Sequence, residues 1–432
     1  MHKMVEIKHK NLYKVIGIFL YYFRYSKTQY WDNHKIDNYQ FKRLRKQLIQ
    51  ASKTKYYNEL FKELNFNPKT DFKSLNDLEK IPVTEKNKVK ENTHLFINYK
   101  YKNKSLPFYT SGSTGNPMKA LIHPLHWVIE QAVIFRHWSW GGYHFRDATA
   151  MLRSYSPKEG EPLTKYSRPL NTTYFSPFHL TDENMMMYYN LMIDLKTRVL
   201  RGYPSSVKIF ALFLKKNNLK INSIKQILVA SEVLNDNDRN IIESVFDCKI
   251  SNHYGLAEQI VMFGDCEKHT HLHNYFEYGY VELLDTDRPN IKKIIGTNLH
   301  NKTMPIIRYD TGDLAIIDNY NCKCSRNGIT IKNIIGRNDN NIVCPDKSQI
   351  PTVNFYTMLE DYIEISSWQI IYDKQILTLN YILKDIISNK RINELNKRLV
   401  QRAEHTGFKI KIIEVNELQK TSEGKLKTII KK

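Results

Sequence analysis

The sequence lacks an apolar run long enough to span a membrane as a helix. The stretch VIGIFLYYF, at residues 15–23, falls well short of the roughly 20 residues that a spanning helix requires. A secretory signal peptide is not expected either, because Arg24 and a Tyr/Lys-rich segment follow where small residues would mark cleavage. We predict that this stretch forms the buried face of a helix in a cytoplasmic protein, with weak contact to a membrane surface as the alternative.

Cysteine is also scarce. The chain of 432 residues has five cysteines, an odd number at uneven spacing, which argues against a disulfide framework. They are Cys248, Cys266, Cys322, Cys324 and Cys344.

Acidic residues are outnumbered by basic ones. The 65 lysines and arginines against 44 acidic residues give a formal net charge of +21, and residues 1–55 alone have a net charge of +10. Such an excess suggests a polyanionic partner, namely a nucleotide, coenzyme A, an anionic membrane or nucleic acid. For the N-terminal excess, a solvated basic face is the simpler alternative.

The sequence also lacks any RNP, zinc-finger or helix-turn-helix pattern, and its basic residues are not interleaved with aromatic ones. We therefore do not expect nucleic acid as a partner. A non-catalytic basic protein that binds nucleotides or nucleic acid is the alternative from another functional class.

The first part of the chain has helical and α/β patterning. Residues 1–100 are predicted to be helical and polar, with Thr84 as the cap of a new helix after the break at Pro82. Beyond them, apolar runs such as QILVASEVL (226–234) alternate with amphipathic stretches such as SSVKIFALFLKKNN (205–218). This alternation indicates α/β layering with a largely parallel sheet.

The second part is richer in strands. Residues 275–335 contain several strand-like runs bounded by turn residues, for example PIIRYDTGDLAII (305–317). The remaining residues are mixed, with a helix predicted near 388–405. At this total length we expect two or three domains.

A loop rich in glycine and hydroxyl groups follows a strand-like lead-in at SLPFYTSGSTGNPMK, residues 105–119. Its N–H groups and hydroxyls could surround phosphate oxygens, and its glycines permit close approach. A Walker loop is excluded, because Asn116 and Pro117 stand where its lysine should be. A solvated turn is the alternative. The candidate phosphate-binding residues are Thr110, Ser111, Gly112, Ser113, Thr114 and Gly115.

Four further stretches follow this loop in order. NHYGLAEQ (252–259) contains Glu258, whose carboxylate is suited to Mg²⁺. RYDTGD ends in Asp313, which could accept hydrogen bonds from a ribose diol. GRNDNN supplies Arg337, and LQKTSEGKLKT places Lys425 on a flexible turn near the end of the sequence. Each stretch alone is more often turn chemistry than catalysis.

Taken together, YTSGSTGNPMK, YGLAE, RYDTGD, GRND and TSEGK resemble the ordered motifs of the adenylate-forming superfamily, which includes acyl-CoA synthetases, luciferases and peptide-synthetase adenylation domains. The resemblance covers roughly residues 80–428. Within it, LEKIPVTEK, RGYPSSV and MPIIRYDTGD are similar to the branch that contains phenylacetate-CoA ligase and the CapK capsule-biosynthesis proteins.

The resemblance implies an α/β fold with two domains. The first is a large multi-layer N-terminal domain of mixed sheets and helices, residues 1–336, and the second is a small mobile α+β lid domain, residues 337–432. In the superfamily the small domain rotates between two half-reactions, and Asp339 matches the hinge position.

The resemblance also implies a ligase that uses ATP and Mg²⁺. A small-molecule carboxylate attacks the α-phosphorus of ATP, which gives an acyl-adenylate and pyrophosphate. Negative charge must be neutralised as the reacting oxygen approaches phosphorus. The acyl group then passes to CoA or, in the alternative that CapK suggests, to an amine in capsule or O-antigen polysaccharide biosynthesis.

The implied site residues come from all five motifs. Two departures affect them: Met118 shifts Lys119 one place along the chain, and Asp310 stands where the branch has arginine. By similarity the catalytic residues are Lys425, Glu258 and Thr114, and residues 110–115 with Lys119 bind the phosphates. The adenine pocket is formed by Ala230, Ser231 and Glu232, with Tyr254 and Gly255 beside the base. The ribose or phosphate is bound by Asp313 and Arg337.

A zinc site is a separate hypothesis. GDCEKHTHLHNYFEYGYVEL and NCKCSRNG supply Cys266, Cys322 and Cys324, and a tetrahedral Cys₃His site would need one histidine more. Similar cysteines occur in the branch, and counting back from the shared VEL strand favours His273 over His271. Such a metal would be structural, because four protein ligands leave no open position. Reduced, unpaired cysteines are the alternative, and Cys248 and Cys344 are expected to be packing residues.

The acyl pocket is expected in the aromatic-rich stretch after the glycine loop. This stretch includes His137, Trp138, Trp140 and Tyr143, and it favours an aromatic or apolar carboxylate only weakly, because buried aromatic residues are more often core.

Overall fold

The structure is a computed structural model of the chain. It describes residues 12–109, 118–158, 160–232, 234, 236–286, 289–335, 341–346, 348–351, 355, 358–359, 362, 364–383, 385–403, 406–419 and 429–432. Within these ranges it has nine α-helices and five sheets.

The N-terminal part is helical, as its patterning predicts. Side-chain caps begin two of its helices: Asp32 accepts a hydrogen bond from the N–H of Lys35, and Thr54 accepts one from the N–H of Tyr57. The helices are α1 (Leu12–Thr28), α2 (Asn33–Ala51), α3 (Lys55–Glu63) and α4 (Lys86–Glu91), with 3₁₀ turns at Leu75–Lys80, Thr93–Phe96 and Tyr99–Lys104.

Thr84 does not cap α4, and this prediction was wrong. Glu85 occupies the cap position, while the Thr84 hydroxyl donates to the carbonyl of Ile307 at 2.8 Å. The backbone of Thr84 also pairs with Tyr309. The buried threonine therefore attaches the start of α4 to a distant strand, because its hydroxyl has a better partner there than in the helix.

Helix α1 differs from its prediction in one respect. The stretch 15–23 is helical, and α1 packs on helix α5 (Pro124–Trp140), but a second apolar face points outward. Its residues are 51–66% exposed, namely Tyr13, Ile16, Leu20 and Phe23. Among the described residues, no helix combines the length and the apolar character that crossing a membrane requires.

The largest sheet has nine strands in the order β14-β10-β9-β8-β7-β6-β3-β5-β4. Its centre is parallel, as predicted, and its two edges are antiparallel. The strands are β3 (Thr149–Leu152), β4 (Thr164–Ser167), β5 (Thr172–Phe175), β6 (Val199–Gly202), β7 (Gln226–Ala230), β8 (Ile250–Gly255), β9 (Met262–Asp265), β10 (Leu272–Asn274) and β14 (Thr330–Ile331), and the connecting helices are α6 (Asp182–Asp194), α7 (Pro204–Lys216) and α8 (Asp236–Phe246).

A four-stranded antiparallel sheet follows, in the order β11-β12-β13-β15. The predicted strand 305–317 begins only at Tyr309, because Arg308 has a φ of 49° and breaks the extended chain. The strands are β11 (Gly279–Asp285), β12 (Ile291–Asn298), β13 (Tyr309–Ile316) and β15 (Asn333–Ile335). The hairpin β1 (Leu106–Tyr109) and β2 (Lys119–Ile122) is antiparallel.

The C-terminal part forms a hydrophobic cluster that includes Cys344, Leu379 and Leu399, and Phe178 from the preceding part of the chain also belongs to it. The predicted helix near 388–405 is α9 (Asn389–Ala403). The strands are β16 (Asn341–Val343), β17 (Gln349–Pro351), β18 (Ile365–Tyr372), β19 (Ile376–Leu383), β20 (Lys409–Glu414) and β21 (Ile429–Lys431). The mixed α/β architecture agrees with the predicted fold class, while the domain boundary at 336/337 stays a prediction.

Candidate functional site

The strands on either side of the glycine loop form a hairpin. Tyr109 and Lys119 are paired in it, so they hold the two ends of the loop together. Met118 is 1% exposed and packs into a hydrophobic cluster with Tyr309, whereas Lys119 is exposed. The extra residue before Lys119 is therefore a core residue, and the alternation along β2 turns the lysine outward.

Several predicted site residues lie outside the described residues, and their roles stay predictions. They are Thr110, Ser111, Gly112, Ser113, Thr114, Gly115, Arg337, Asp339 and Lys425.

Glu258 is a buried carboxylate just beyond the carboxyl end of β8. Its side chain is 2% exposed, and one oxygen, Oε1, has two close partners. The ammonium of Lys86, in the first turn of α4, lies 2.9 Å away, and the hydroxyl of Tyr309 donates to the same oxygen at 2.8 Å. The backbone pairing of Thr84 with Tyr309 brings these two partners together.

These partners decide the ionisation of Glu258. Burial acts to raise its pKa, but the positive charge and hydrogen bond of Lys86, together with the Tyr309 hydroxyl, lower the pKa below its ordinary value. The carboxylate is therefore ionised at neutral pH. The ammonium on Oε1 shows that this oxygen attracts a cation, which is the property that a Mg²⁺ ligand needs.

Tyr254 and Asp313 form a second pair nearby. The Tyr254 hydroxyl donates to Oδ2 of Asp313 at 2.6 Å, and burial and the Asp313 charge raise the pKa of Tyr254 well above its ordinary value. Asp310, the departure from the branch pattern, accepts a hydrogen bond from the N–H of Gly312 at 2.8 Å, so its carboxylate shapes the turn that leads to Asp313. Gly255 ends β8 beside Tyr254.

The VASE stretch makes a sharp turn at the end of β7. Ala230 is buried, and Ser231 has a φ of 74°, in the left-handed region that serine rarely adopts. The turn directs the carboxylate of Glu232 to Ser205 at the start of α7, where it accepts hydrogen bonds from the N–H at 2.9 Å and from the hydroxyl at 3.1 Å. The Glu232 side chain therefore stabilises the start of α7.

The predicted cysteine–histidine cluster is brought together. The ligand atoms of Cys266, His273, Cys322 and Cys324 all lie within 4.8 Å of one another. His271 is turned elsewhere: its Nε2 lies 2.8 Å from Asp318 Oδ1. Bonds of about 2.3 Å to sulfur would place tetrahedral ligand atoms roughly 3.5–4 Å apart. The observed pairs, Cys266 to Cys322 at 3.5 Å and Cys324 to His273 Nε2 at 3.4 Å, fit that spacing.

Sequence reasoning missed Lys86 and Tyr309 around Glu258, as well as two arginines, Arg153 and Arg201, at the ends of neighbouring strands. Lys86 lies among many other lysines, so nothing local distinguishes it. Arg201 begins RGYPSSV, which served only as a marker of the branch.

Known proteins share both sequence and architecture with this chain. No family model matches it. Protein CapK of Staphylococcus aureus is 26% identical over 390 residues, which cover 86% of this chain and 84% of that protein. Phenylacetate-coenzyme A ligase of Thermus thermophilus is 24% identical over 318 residues, which cover 69% of each.

Among solved structures, a 2-hydroxyisobutyryl-CoA ligase in complex with 2-HIB-AMP and CoA has a TM-score of 0.62 at 17% identity, covering 94% of this chain and 91% of that one. The same ligase in its postadenylation state has a TM-score of 0.58. In sequence the chain is similar to CapK and phenylacetate-coenzyme A ligase, and its fold is that of the adenylate-forming enzymes. The superfamily fold predicted from five short motifs is thus confirmed.

The described part of the chain supplies specific chemical capacities. Glu258 offers an ionised, buried oxygen to a cation, and the Tyr254–Asp313 pair offers an aromatic face beside a carboxylate that can accept hydrogen bonds. Both groups lie beyond or beside the carboxyl end of β8, where ligands of open α/β sheets bind.

Proposed function

We propose that the protein is an AMP-forming ligase that activates a carboxylic acid with ATP and passes the acyl group to CoA. The relatives that support this proposal include a phenylacetate-coenzyme A ligase, and the structurally similar 2-hydroxyisobutyryl-CoA ligase holds an adenylate and CoA together. The observation that carries the proposal is the gathering of Tyr254, Glu258 and Asp313 at one strand end, although Tyr254 and Asp313 are 59 residues apart in sequence.

In this proposal each described residue has a binding role. Tyr254 stacks on the adenine, and Asp313 accepts hydrogen bonds from the ribose hydroxyls. Ala230 and Ser231 line the adenine pocket through their backbone. The residues fit a Mg²⁺ ion at Glu258, because that buried carboxylate already has a cation, the Lys86 ammonium, on Oε1. When bound, the ion would neutralise charge on the phosphates.

The motifs that lie outside the described residues have the remaining roles in the proposed reaction. Hydroxyls of residues 110–114 hold the phosphates that leave as pyrophosphate, and Lys425 bridges the attacking carboxylate and the α-phosphate. The carboxylate oxygen forms a bond to the α-phosphorus while the bond to pyrophosphate breaks. The CoA sulfur then attacks the acyl carbon, and AMP leaves. The site is expected to operate in the cytoplasm.

Carboxylate-dependent exchange of pyrophosphate into ATP tests the first half-reaction. We expect exchange with at least one member of a panel of aryl, fatty, amino and dicarboxylic acids, and no exchange without an acid. Adding CoA should then yield a thioester and AMP. If hydroxylamine or an amine accepts the acyl group and CoA does not, the acceptor is an amine. If no acid supports exchange and ATP leaves the melting temperature unchanged, the ligase proposal is wrong.

We also propose that Cys266, His273, Cys322 and Cys324 hold a structural Zn²⁺ ion. The cysteines offer thiolates and the histidine offers Nε2, a donor set that zinc prefers. The ion would join the β9–β10 segment to the chain before β14, which connects two distant parts of the sequence.

Metal analysis of protein purified without a histidine tag tests the zinc proposal. We expect about one zinc per chain in the wild type and a large loss in Cys324→Ser. His271→Gln is the matched control, because His271 lies in the same segment but bonds Asp318. Equal zinc content in Cys324→Ser and the wild type would contradict the proposal.

A further proposal concerns partners: α1 contacts an anionic membrane surface. Its outward face is apolar, the helix contains no acidic residue, and Lys14, Arg24 and Lys27 lie along it. An exposed apolar face flanked by positive charge is typical of helices that lie in the plane of a membrane interface.

Co-sedimentation with vesicles tests this contact. The wild-type chain should bind phosphatidylglycerol vesicles more than phosphatidylcholine vesicles, and Leu20→Glu combined with Phe23→Glu should abolish binding. Ile386→Glu, at a residue that is 98% exposed, is the control and should bind normally. Absence of wild-type binding would overturn the proposal. A wild-type dimer that the double variant converts to a monomer would assign the face to a second copy of the chain.

A further inference from the structure

Two arginines share one face of the large sheet beside the candidate nucleotide site. In the parallel register, Arg201 on β6 lies between Met151 on β3 and Leu228 on β7. One step further toward the carboxyl ends, Arg153 follows β3 and His253 on β8 pairs with Ala230. Because side chains two residues apart along a strand point to the same side, Arg153, Arg201 and His253 face the same way.

Neither arginine has an acidic partner among the described residues. No carboxylate there lies within the 4.0 Å ion-pair distance of either guanidinium. Arg201 instead stacks on Trp138, 3.9 Å from the ring centroid, and Arg153 lies 5.2 Å from the ring of Tyr203. The Nη2 of Arg153 donates to the hydroxyl of Ser231 at 3.2 Å. Within the described part of the chain, the two positive charges thus lie against aromatic rings with no carboxylate beside them.

The two charges influence each other and their neighbour. Burial, followed by the charge of Arg153, lowers the pKa of Arg201 to about 10, so the guanidinium remains cationic at neutral pH. Burial and both arginines lower the pKa of His253 to about 3, so its imidazole is neutral. Nδ1 of His253 is buried and has no hydrogen-bond partner among the described residues. An anion on this face would relieve the repulsion and could accept hydrogen bonds from both guanidiniums.

The position of this face indicates which ligand supplies the anion. It adjoins Ser231, in the stretch proposed to line the adenine, because Arg153 donates a hydrogen bond to the hydroxyl of Ser231. Met118, which directly follows the undescribed residues of the glycine loop, belongs to the same hydrophobic cluster as Tyr309, the partner of Glu258. Trp138 and Leu228 belong to a different hydrophobic cluster. The arginine face therefore adjoins the proposed site of the AMP part of ATP, which keeps the α-phosphate that carries the acyl group of an adenylate.

We propose that Arg153 and Arg201 bind a second anionic group of the acyl substrate, so that the acid which this enzyme activates is a dicarboxylate or an acid with a phosphate or sulfate group. This inference rests on the proposed ligase function and specifies its substrate class. The aromatic stretch after the glycine loop contributes Trp138 to the pocket, but its partner Arg201 makes the pocket cationic rather than purely apolar.

Pyrophosphate exchange with matched pairs of acids tests the proposal. The probes are glutarate against valerate and phthalate against benzoate, which differ mainly in the second carboxylate. We expect the dicarboxylate of at least one pair to be preferred by at least about tenfold in kcat/KM, since a charged group buried without its partner discriminates strongly. In Arg201→Gln this preference should fall by about tenfold, mainly through a higher KM for the dicarboxylate, while the KM for ATP stays unchanged.

Two variants sharpen the test. Arg201→Lys keeps the charge but loses the planar fork, so it should retain part of the preference even if Arg201→Gln folds poorly. Arg198→Gln is the matched control, because Arg198 lies just before β6 but pairs with Asp147 at 3.3 Å. It should behave as the wild type does.

The outcomes separate this inference from the proposed function. If monocarboxylates support exchange as well as or better than dicarboxylates, the ligase proposal stands and this inference is wrong. It is also wrong if Arg201→Gln raises the KM for ATP with every acid, or impairs only the CoA-dependent step, because the arginines would then bind phosphates of ATP or CoA. If no acid of either kind supports exchange, the ligase proposal itself fails, and this inference fails with it.

Discussion

Two regions at the carboxyl ends of the large sheet differ in how their charges are paired. Around Glu258, the buried carboxylate has an ammonium and a hydroxyl on one oxygen. Around Arg201, two guanidiniums face aromatic rings and have no carboxylate within ion-pair distance among the described residues. Among the described residues, the buried carboxylate of the first region has a cation beside it, whereas the guanidiniums of the second have no carboxylate beside them.

The difference indicates how each region responds to its ligand. At Glu258, a metal ion must compete with or displace an existing cation, so the protein has a stable resting arrangement there. At Arg201, a ligand meets guanidiniums that are already positioned and that no described carboxylate pairs with, so binding should gain affinity and selectivity from little rearrangement.

Glu258→Gln should have the largest effect on the paired region. The amide keeps the size of the side chain but removes the charge that Lys86 and a metal ion need. We expect pyrophosphate exchange to fall about 100- to 1,000-fold, in line with the loss of several kcal/mol of charge stabilisation. The far-ultraviolet circular dichroism spectrum should not change. Activity within threefold of wild type would exclude Glu258 from the reaction.

A stability comparison tests whether removing a buried arginine that has an acidic partner lowers the free energy of unfolding more than removing one that has no such partner among the described residues. Arg136 and Glu277 form a paired reference, at 2.6 Å with side chains 2% and 0% exposed. Arg136→Met should lower the free energy of unfolding by about 3–5 kcal/mol, because it leaves a buried carboxylate unpaired. Arg201→Gln should cost less than about 1 kcal/mol, since it relieves repulsion with Arg153. Urea unfolding of both variants measures this difference. Equal losses of free energy of unfolding in the two variants would contradict this prediction.

Lys86→Met should change the pH dependence of pyrophosphate exchange more than it changes the maximal rate of exchange. Without the ammonium, burial dominates and the pKa of Glu258 rises. As the pH falls, the activity that needs the ionised carboxylate should then disappear at a higher pH in the variant than in the wild type. The acidic limb of kcat/KM, measured from pH 5 to 8, should therefore move upward in Lys86→Met. Lys88→Met, in the same helix, is the control and should leave the limb in place.

Tyr254→Phe should have the smallest effect. It removes the 2.6 Å hydrogen bond to Asp313 but keeps the aromatic face. We expect the KM for ATP to rise about tenfold or less, consistent with one lost hydrogen bond to a charged group, while kcat changes little. Steady-state kinetics with varied ATP measure this split. A drop in kcat with an unchanged KM would mean that Tyr254 acts in the chemical step instead.

Local patterns predicted much of the fold. The amphipathic stretch 205–218 matches α7 and the predicted helix near 388–405 matches α9, whereas of the apolar run 226–234 only residues 226–230 form β7. Errors arose where long-range contacts compete with local preference. Thr84 hydrogen-bonds to Ile307 instead of capping α4, and the outward apolar face of α1 follows a helical period that the run 15–23 alone did not reveal.

The sequence by itself predicted the adenylate-forming fold, because five short motifs of glycine, hydroxyl and charged residues stand in it in the expected order. It also indicated that His273, rather than His271, joins the cysteines. Only the tertiary structure decided which cation faces Glu258, where Ser231 turns the chain, and that no described carboxylate lies within ion-pair distance of Arg153 or Arg201. The physical reason is that pairing of charges depends on distance in space, and strands far apart in sequence are neighbours in the sheet.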